Sequence, residues 1–161
     1  MNVAIVPDRR RELAGFESNG GVMKIYFSGS ISGGRNFLHS YKEIVRHLKQ
    51  TGHEVLSEHI VLDSVLDSEN RLSPQQIYER DIDFLNNCDA VIAEVSNPSL
   101  GVGYELCYAV DHDIPALCLY QPGIFVSRMI IGNTSPRFAT IEYSNEDELY
   151  AAIDTFLREQ Q

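Results

Sequence analysis

Two carboxylates, Asp81 and Glu105, stand at positions where an acid needs either a partner or a task. Glu105 lies in the stretch 89–106, DAVIAEVSNPSLGVGYEL. Residues 90–95 are a short apolar run with the make-up of a buried strand. Asn97-Pro98-Ser99 breaks the run, Gly101 and Gly103 allow a tight turn and close backbone approach to a ligand, and Tyr104-Glu105-Leu106 opens an apolar-periodic helix. This reading puts Glu105 in the first helical turn, where roughly half a positive charge favours an ionised carboxylate. In an open α/β sheet that point lies at the carboxyl ends of the strands, where ligands bind. Asp81 falls in 73–87, a helical pattern with Ser73 as N-cap and Pro74 at the first position. At about 100° per residue, Ile77, Tyr78, Ile82, Phe84 and Leu85 cover one arc with Asp81 near its middle. A carboxylate on such a stripe is expensive unless it is partnered or functional. Arg80 is a poor candidate partner on this wheel, because adjacent helical residues diverge.

The loop 29–35, GSISGGR, follows a first strand and precedes a helix. Its N–H groups and hydroxyls can face a phosphate, although it has neither Walker A nor GxGxxG spacing. Two carboxylates beside an anion loop suit cleavage at an anomeric carbon: one attacks the sugar and the other manages protons. A separation of about 5 Å would mean a covalent, retaining route. Tyr26 on the first strand and His59 after the second open onto the same edge. His59 has no second histidine at ligand spacing, so neither a metal nor another cofactor is expected.

These residues must be positioned by alternating elements. The patterns predict strands over 24–28, 54–57, 90–95, 114–120 and 137–143. They predict helices over 36–51, 73–87, from Tyr104 to about Asp113, and 145–158, with a short helix inside 121–134. Residues 58–72 read as a long polar connection of the kind that covers a substrate. The expected fold is a single-domain α/β, doubly wound (Rossmann/flavodoxin-like) sheet of about five mainly parallel strands with helices on both faces. Residues 1–22 read as a flexible leader, rich in Gly, Ser and Asn near its end, and 23–161 as the domain.

The chain has 161 residues, 43% of them hydrophobic, with a formal net charge of -10. That is enough for one core and argues against a nucleic-acid polymer as partner, which needs a basic face. No run of about 18 apolar residues suggests a membrane span. Cys88, Cys107 and Cys118 form no CxxC pair, and Cys107 and Cys118 read as buried thiols. That usage suits a reducing, cytoplasmic setting, or a nuclear one in a eukaryote.

KIYFSGSISGGR (24–35), SEH (57–59), ERDIDFL (79–85) and AEVSNPSLGVGYEL (93–106) together resemble the Rcl-type 2'-deoxynucleoside 5'-monophosphate N-glycosidases of the nucleoside 2-deoxyribosyltransferase superfamily. The resemblance runs from about Lys24 to the last helix, and PSLGVGYEL is its most specific part. It implies hydrolysis of a nucleoside monophosphate to a free base and a (deoxy)ribose 5-phosphate. By matched position it implies Glu105 as nucleophile through a glycosyl-enzyme intermediate, Asp81 as acid/base, and Tyr26 orienting nucleophile and sugar. Ser30 and Ser99 match phosphate-binding serines. Ser127 matches a serine lent across a homodimer interface, with Met129 beside it. His59 and Ile77 match site-lining residues, and Gly29, Ser32, Arg35 and Gly101 complete the binding set. Family members commonly carry Arg where this chain has Ser32, and Arg35 could supply that charge. The competing readings are a nucleoside 2-deoxyribosyltransferase, which passes the same intermediate to a second base, and a non-catalytic nucleotide sensor. The three serines favour a phosphorylated substrate, and a sensor would not need both acids.

Overall fold

The computed structural model describes residues 21–161. The leader expected over 1–22 lies outside these residues, apart from Gly21 and Val22. Five strands, β1 (Lys24–Gly29), β2 (Glu54–Val55), β3 (Ala90–Glu94), β4 (Ala116–Tyr120) and β5 (Phe138–Glu142), form one sheet in the order β2-β1-β3-β4-β5. Every pairing is parallel. The helices are α1 (Leu38–Gln50), α2 (Val65–Glu69), α3 (Pro74–Asn87), α4 (Leu100–Asp111), α5 (Arg128–Ile131) and α6 (Glu146–Glu159). The doubly wound fold read from the alternation of patterns is the one observed.

Period-two alternation along the strands divides the core into two layers. Ile25, Phe27, Ala90, Ile92, Leu117 and Leu119 face α1 and α6, packing on Tyr41, Ile44, Leu48, Ile153 and Phe156. Tyr26, Val91, Ala93, Ala116 and Cys118 face α3 and α4, packing on Leu85, Val102, Leu106 and Ala109. A sheet buried on both faces explains the near-continuous apolar runs of β3 and β4. The order reverses between β1 and β3, so the connections leaving these neighbours go to opposite faces and open a crevice at their carboxyl ends.

Several boundaries differ from the sequence reading. Gly101 and Gly103 lie inside α4, not in a loop before it. Ser99, in extended conformation, caps the helix by accepting from the Val102 N–H at 3.4 Å. Glu105 is therefore in the second turn. Burial of Val102, Leu106 and Ala109 against the sheet outweighs the helix penalty of two glycines, about 1 kcal/mol each.

The strand β2 is shorter than expected, because the Ser57 side chain takes over its ladder. Ser57 Oγ accepts from the Phe27 N–H at 2.8 Å and donates to the Phe27 carbonyl at 2.6 Å. The backbone is then free to turn at once into a 3₁₀ segment, Glu58–Val61. The expected polar connection 58–72 thus contains that turn and α2, rather than open loop. Cys107 is exposed, unlike Cys88 and Cys118, because it lies on the α4 face turned away from the sheet. Tyr78 is also 53% exposed, at the rim of the apolar arc of α3.

Candidate active site

Strand alternation puts Tyr26 and Ser28 on the face that receives α4, and the second turn of α4 sets Glu105 against both. The Ser28 hydroxyl donates to Glu105 Oε2, and the Tyr26 phenol donates to the same carboxylate. Burial pushes Glu105 up to about 7. The Asp81 charge pushes the same way, and the Ser28 and Tyr26 hydrogen bonds and the nearby Arg80 hold it down. Tyr26 is 1% exposed, and burial followed by the Glu105 charge raises its phenol well above the usual value. It is thus held as a neutral donor. Ser28 has no flag in the sequence beyond its place two residues after Tyr26. Strand periodicity could have shown that both face the same helix.

Asp81 reaches this group from α3, which Ser73 and Gln76 start with a reciprocal capping box. Contrary to the helical-wheel expectation, Arg80 is its partner: Nε donates to Asp81 Oδ1 at 2.8 Å. The wheel compares Cα directions, whereas an Arg side chain is long enough to curl back along its own helix. A terminal nitrogen of the same guanidinium donates to Glu69 Oε1 at 2.8 Å. His59, from the 3₁₀ turn, lies with Nε2 3.7 Å from that Glu69 oxygen and its ring 6.3 Å from Phe84. Burial, then Arg80, lowers its pKa, so the ring is held neutral. Ile77 is half-buried, one helical turn before Asp81.

The second component is the loop after β1. Ser30 is fully buried, its N–H donates to the Tyr41 phenol at 3.2 Å, and its Oγ has no partner. Arg35 donates from one terminal nitrogen to the Ile60 and Leu62 carbonyls at 2.9 and 3.2 Å, while the other is buried and unpartnered. Ser32 is exposed, and Gly29 sits against the Tyr41 ring. The Asn97 amide donates to the Gly33 and Gly34 carbonyls at 3.1 and 2.8 Å, which ties this loop to the turn after β3. Asn97 reads in sequence as a turn former. Its bridge across 63 residues is visible only in the fold. Buried polar groups are nearly always satisfied, so the unpartnered Ser30 hydroxyl and the unpartnered Arg35 nitrogen each suit an added partner such as an anionic ligand.

Ser99, Ser127 and Met129 lie apart from the carboxylates. They line a cavity of about 610 Å³ between α4 and the segment 125–133, together with Leu100, Phe125 and Cys107. Ser127 caps α5, accepting from the Met129 N–H at 3.3 Å. Gly101 is exposed at the start of α4, and a Cβ there would lie 3.7 Å from Ser99 Oγ, an ordinary contact. His39, Glu43 and Glu146 could bring three ligand atoms within 4.8 Å of one another, but they cluster at α1 and α6, and Arg46 pairs with both glutamates.

The profile of the family described as nucleoside 2-deoxyribosyltransferase matches residues 25–129. A protein of Methanococcoides burtonii, provisionally named a 2'-deoxynucleoside 5'-phosphate N-hydrolase, is 50% identical over 112 residues, covering 70% of this chain and 92% of that protein. The 5-hydroxymethyl-dUMP N-hydrolase of Danio rerio is 40% identical over 137 residues, covering 83% and 95%. The solved structure of a Clostridium botulinum CMP N-glycosidase superposes with a TM-score of 0.62 at 21% identity, covering 83% and 98%, and so shares the fold.

Proposed function

The chain belongs to the nucleoside 2-deoxyribosyltransferase family, and from that footing we propose that it hydrolyses the N-glycosidic bond of (2'-deoxy)nucleoside 5'-monophosphates. The observation that carries this reading is Glu105, gripped by Ser28 and Tyr26 with Asp81 alongside, at the mouth of the β1–β3 crevice. The unpartnered Ser30 hydroxyl and Arg35 nitrogen, both from the loop after β1, support an anion site there.

A Glu105 oxygen attacks C1' of the sugar as the bond to the base breaks, and the bonding electrons leave with the base nitrogen. Asp81, the acid/base residue on this reading, passes a proton to that nitrogen. A glycosyl–Glu105 ester results. Asp81, now a carboxylate, takes a proton from water, whose oxygen attacks C1' and releases Glu105 and the sugar 5-phosphate. Tyr26 and Ser28 stabilise the carboxylate as it leaves. Ser30, Ser99 and Arg35 take the phosphate, with Gly29, Gly101 and Ser32 shaping the approach, and His59 and Ile77 line the base side.

The working unit on this reading is a homodimer. Leu100, Phe125 and Met129 are 96, 76 and 83% exposed around the 610 Å³ cavity, and an apolar patch of this kind is characteristic of an interface. A second copy seated there would bring its Ser127 to the phosphate of the first. Three cysteines, none joined in a disulfide, support a reducing, cytoplasmic setting. No helix among the described residues is long and apolar enough to cross a membrane.

Chromatography of free base released from deoxy- and ribonucleoside 5'-monophosphates, beside the unphosphorylated nucleosides, tests the reading. Release from the monophosphates is expected. Base exchange between nucleosides would make the chain a transferase, and no release from any of them would leave a binding role.

A further inference from the structure

Arg80 uses its guanidinium twice, and the two partners belong to different parts of the fold. Nε holds Asp81 on α3, and a terminal nitrogen holds Glu69, the last residue of α2. The Glu69, Arg80 and Asp81 side chains are 15, 23 and 20% exposed, well below the exposure at which an ion pair counts for little. The groups facing Asp81 are Arg80 on its own helix, Glu105 on α4, Tyr26 on β1, and His59 with Glu69 on the 58–72 connection. Among these, Arg80 is the cation. Burial works against its charge, and the hydrogen bonds to Asp81 and Glu69 outweigh that and keep it. An aspartate has two free torsions, and a planar fork fixed at both ends removes that freedom at one oxygen while leaving the other for proton exchange.

Resting on the hydrolase reading above, we infer that Arg80 is a positioning residue that couples the aim of Asp81 to the seating of the 58–72 connection through Glu69. The acid points at the leaving base when the connection carrying Glu69 and His59 is docked. It loses its restraint when the connection moves away. Nucleotide entry past this connection and readiness of the proton donor are thereby made one event.

Two measurements on the full chain test this. The first needs no turnover: a double-mutant cycle of E69Q and D81N in urea unfolding, run with Arg80 present and again in R80Q. The expected result is non-additivity of at least about threefold in the unfolding equilibrium constant with Arg80, and additivity without it. The second is base release from a deoxynucleoside monophosphate as a function of pH. E69Q and R80K should each lower kcat by about tenfold or more with KM within about twofold and the acidic limb in place, since Lys keeps the charge but cannot bridge both carboxylates. R80Q should lower kcat and also move the acidic limb to higher pH, because the cation that holds Glu105 down is gone. A cycle that is additive with Arg80 present overturns the coupling, as does wild-type kcat in E69Q. A coupled cycle in a chain that releases no base from any nucleotide overturns the hydrolase reading and upholds the bridge.

Discussion

Ser28 and Tyr26 both donate to the Glu105 carboxylate, and those bonds work against the burial that pushes it up to about 7. A nucleophile must be ionised, so kcat/KM should have an acidic limb near pH 7 and fall about tenfold per unit below it. Ser28→Ala removes a bond that favours the charged form, and the limb should move to higher pH in a pH–rate profile, with several-fold less activity at pH 7. Glu105→Gln should lower turnover by about a thousandfold or more with an unchanged circular dichroism spectrum, because the side chain sits at the crevice mouth. On the opposite face of the sheet, Glu94 is fully buried, accepting from Ser96 Oγ at 2.5 Å and the Tyr143 phenol at 3.1 Å, and burial pushes it too up to about 7. Both acids bind a proton more tightly folded than unfolded. Their contribution to stability is therefore full below about pH 4.5 and lost as pH rises through 7, by at most about 3 kcal/mol each. Urea unfolding at pH 5 and pH 8 should show that decline, and Glu94→Gln should reduce it by roughly half.

Two loops, one on each side of the β1–β3 crevice, have to keep register for the site to exist, and Gly33 is where they touch. A Cβ at this position would lie 2.7 Å from Ser30 Oγ and 3.0 Å from the Pro98 carbonyl. Gly33→Ala should displace the Ser30 hydroxyl and raise KM for a monophosphate by about tenfold, with a smaller change in kcat, measured by steady-state base release. The same elements show why the sequence was legible in some places and not in others. Ser73-Pro74 announced α3 because capping is local. Gly101 and Gly103 suggested a loop because glycine is a poor helix former, but the apolar residues between and beyond them are buried in a helix against the sheet. The Ser57 hydroxyl standing in for a strand backbone leaves no local trace, since its partner is Phe27, thirty residues away.

A net charge of -10 and a protruding apolar rim give the molecule two kinds of surface. Leu100, Phe125 and Met129 frame the cavity that holds Ser99 and Ser127, so on the proposed reading association and phosphate capture share one surface. Met129→Asp should give a monomer by analytical ultracentrifugation and lose most activity while remaining folded. Ser127→Ala should leave the dimer intact and raise KM more than it lowers kcat, as expected for a contact made equally in the ground and transition states. By itself the sequence determined the alternation of strands and helices, the two-sided core, an acid out of place on an apolar helix stripe at Asp81, and a second acid, Glu105, near the start of the helix after the central strand. Each of these is written in local periodicity and in the cost of burying charge. Only the tertiary structure decided which partners those acids have. Ser28 meets Glu105 across 77 residues, Asn97 joins two loops 63 residues apart, and Arg80 turns back to its own neighbour because Glu69 holds its other end. Such contacts follow from how strands order themselves in the sheet and how long side chains bend, and neither is encoded in the spacing of residues along the chain.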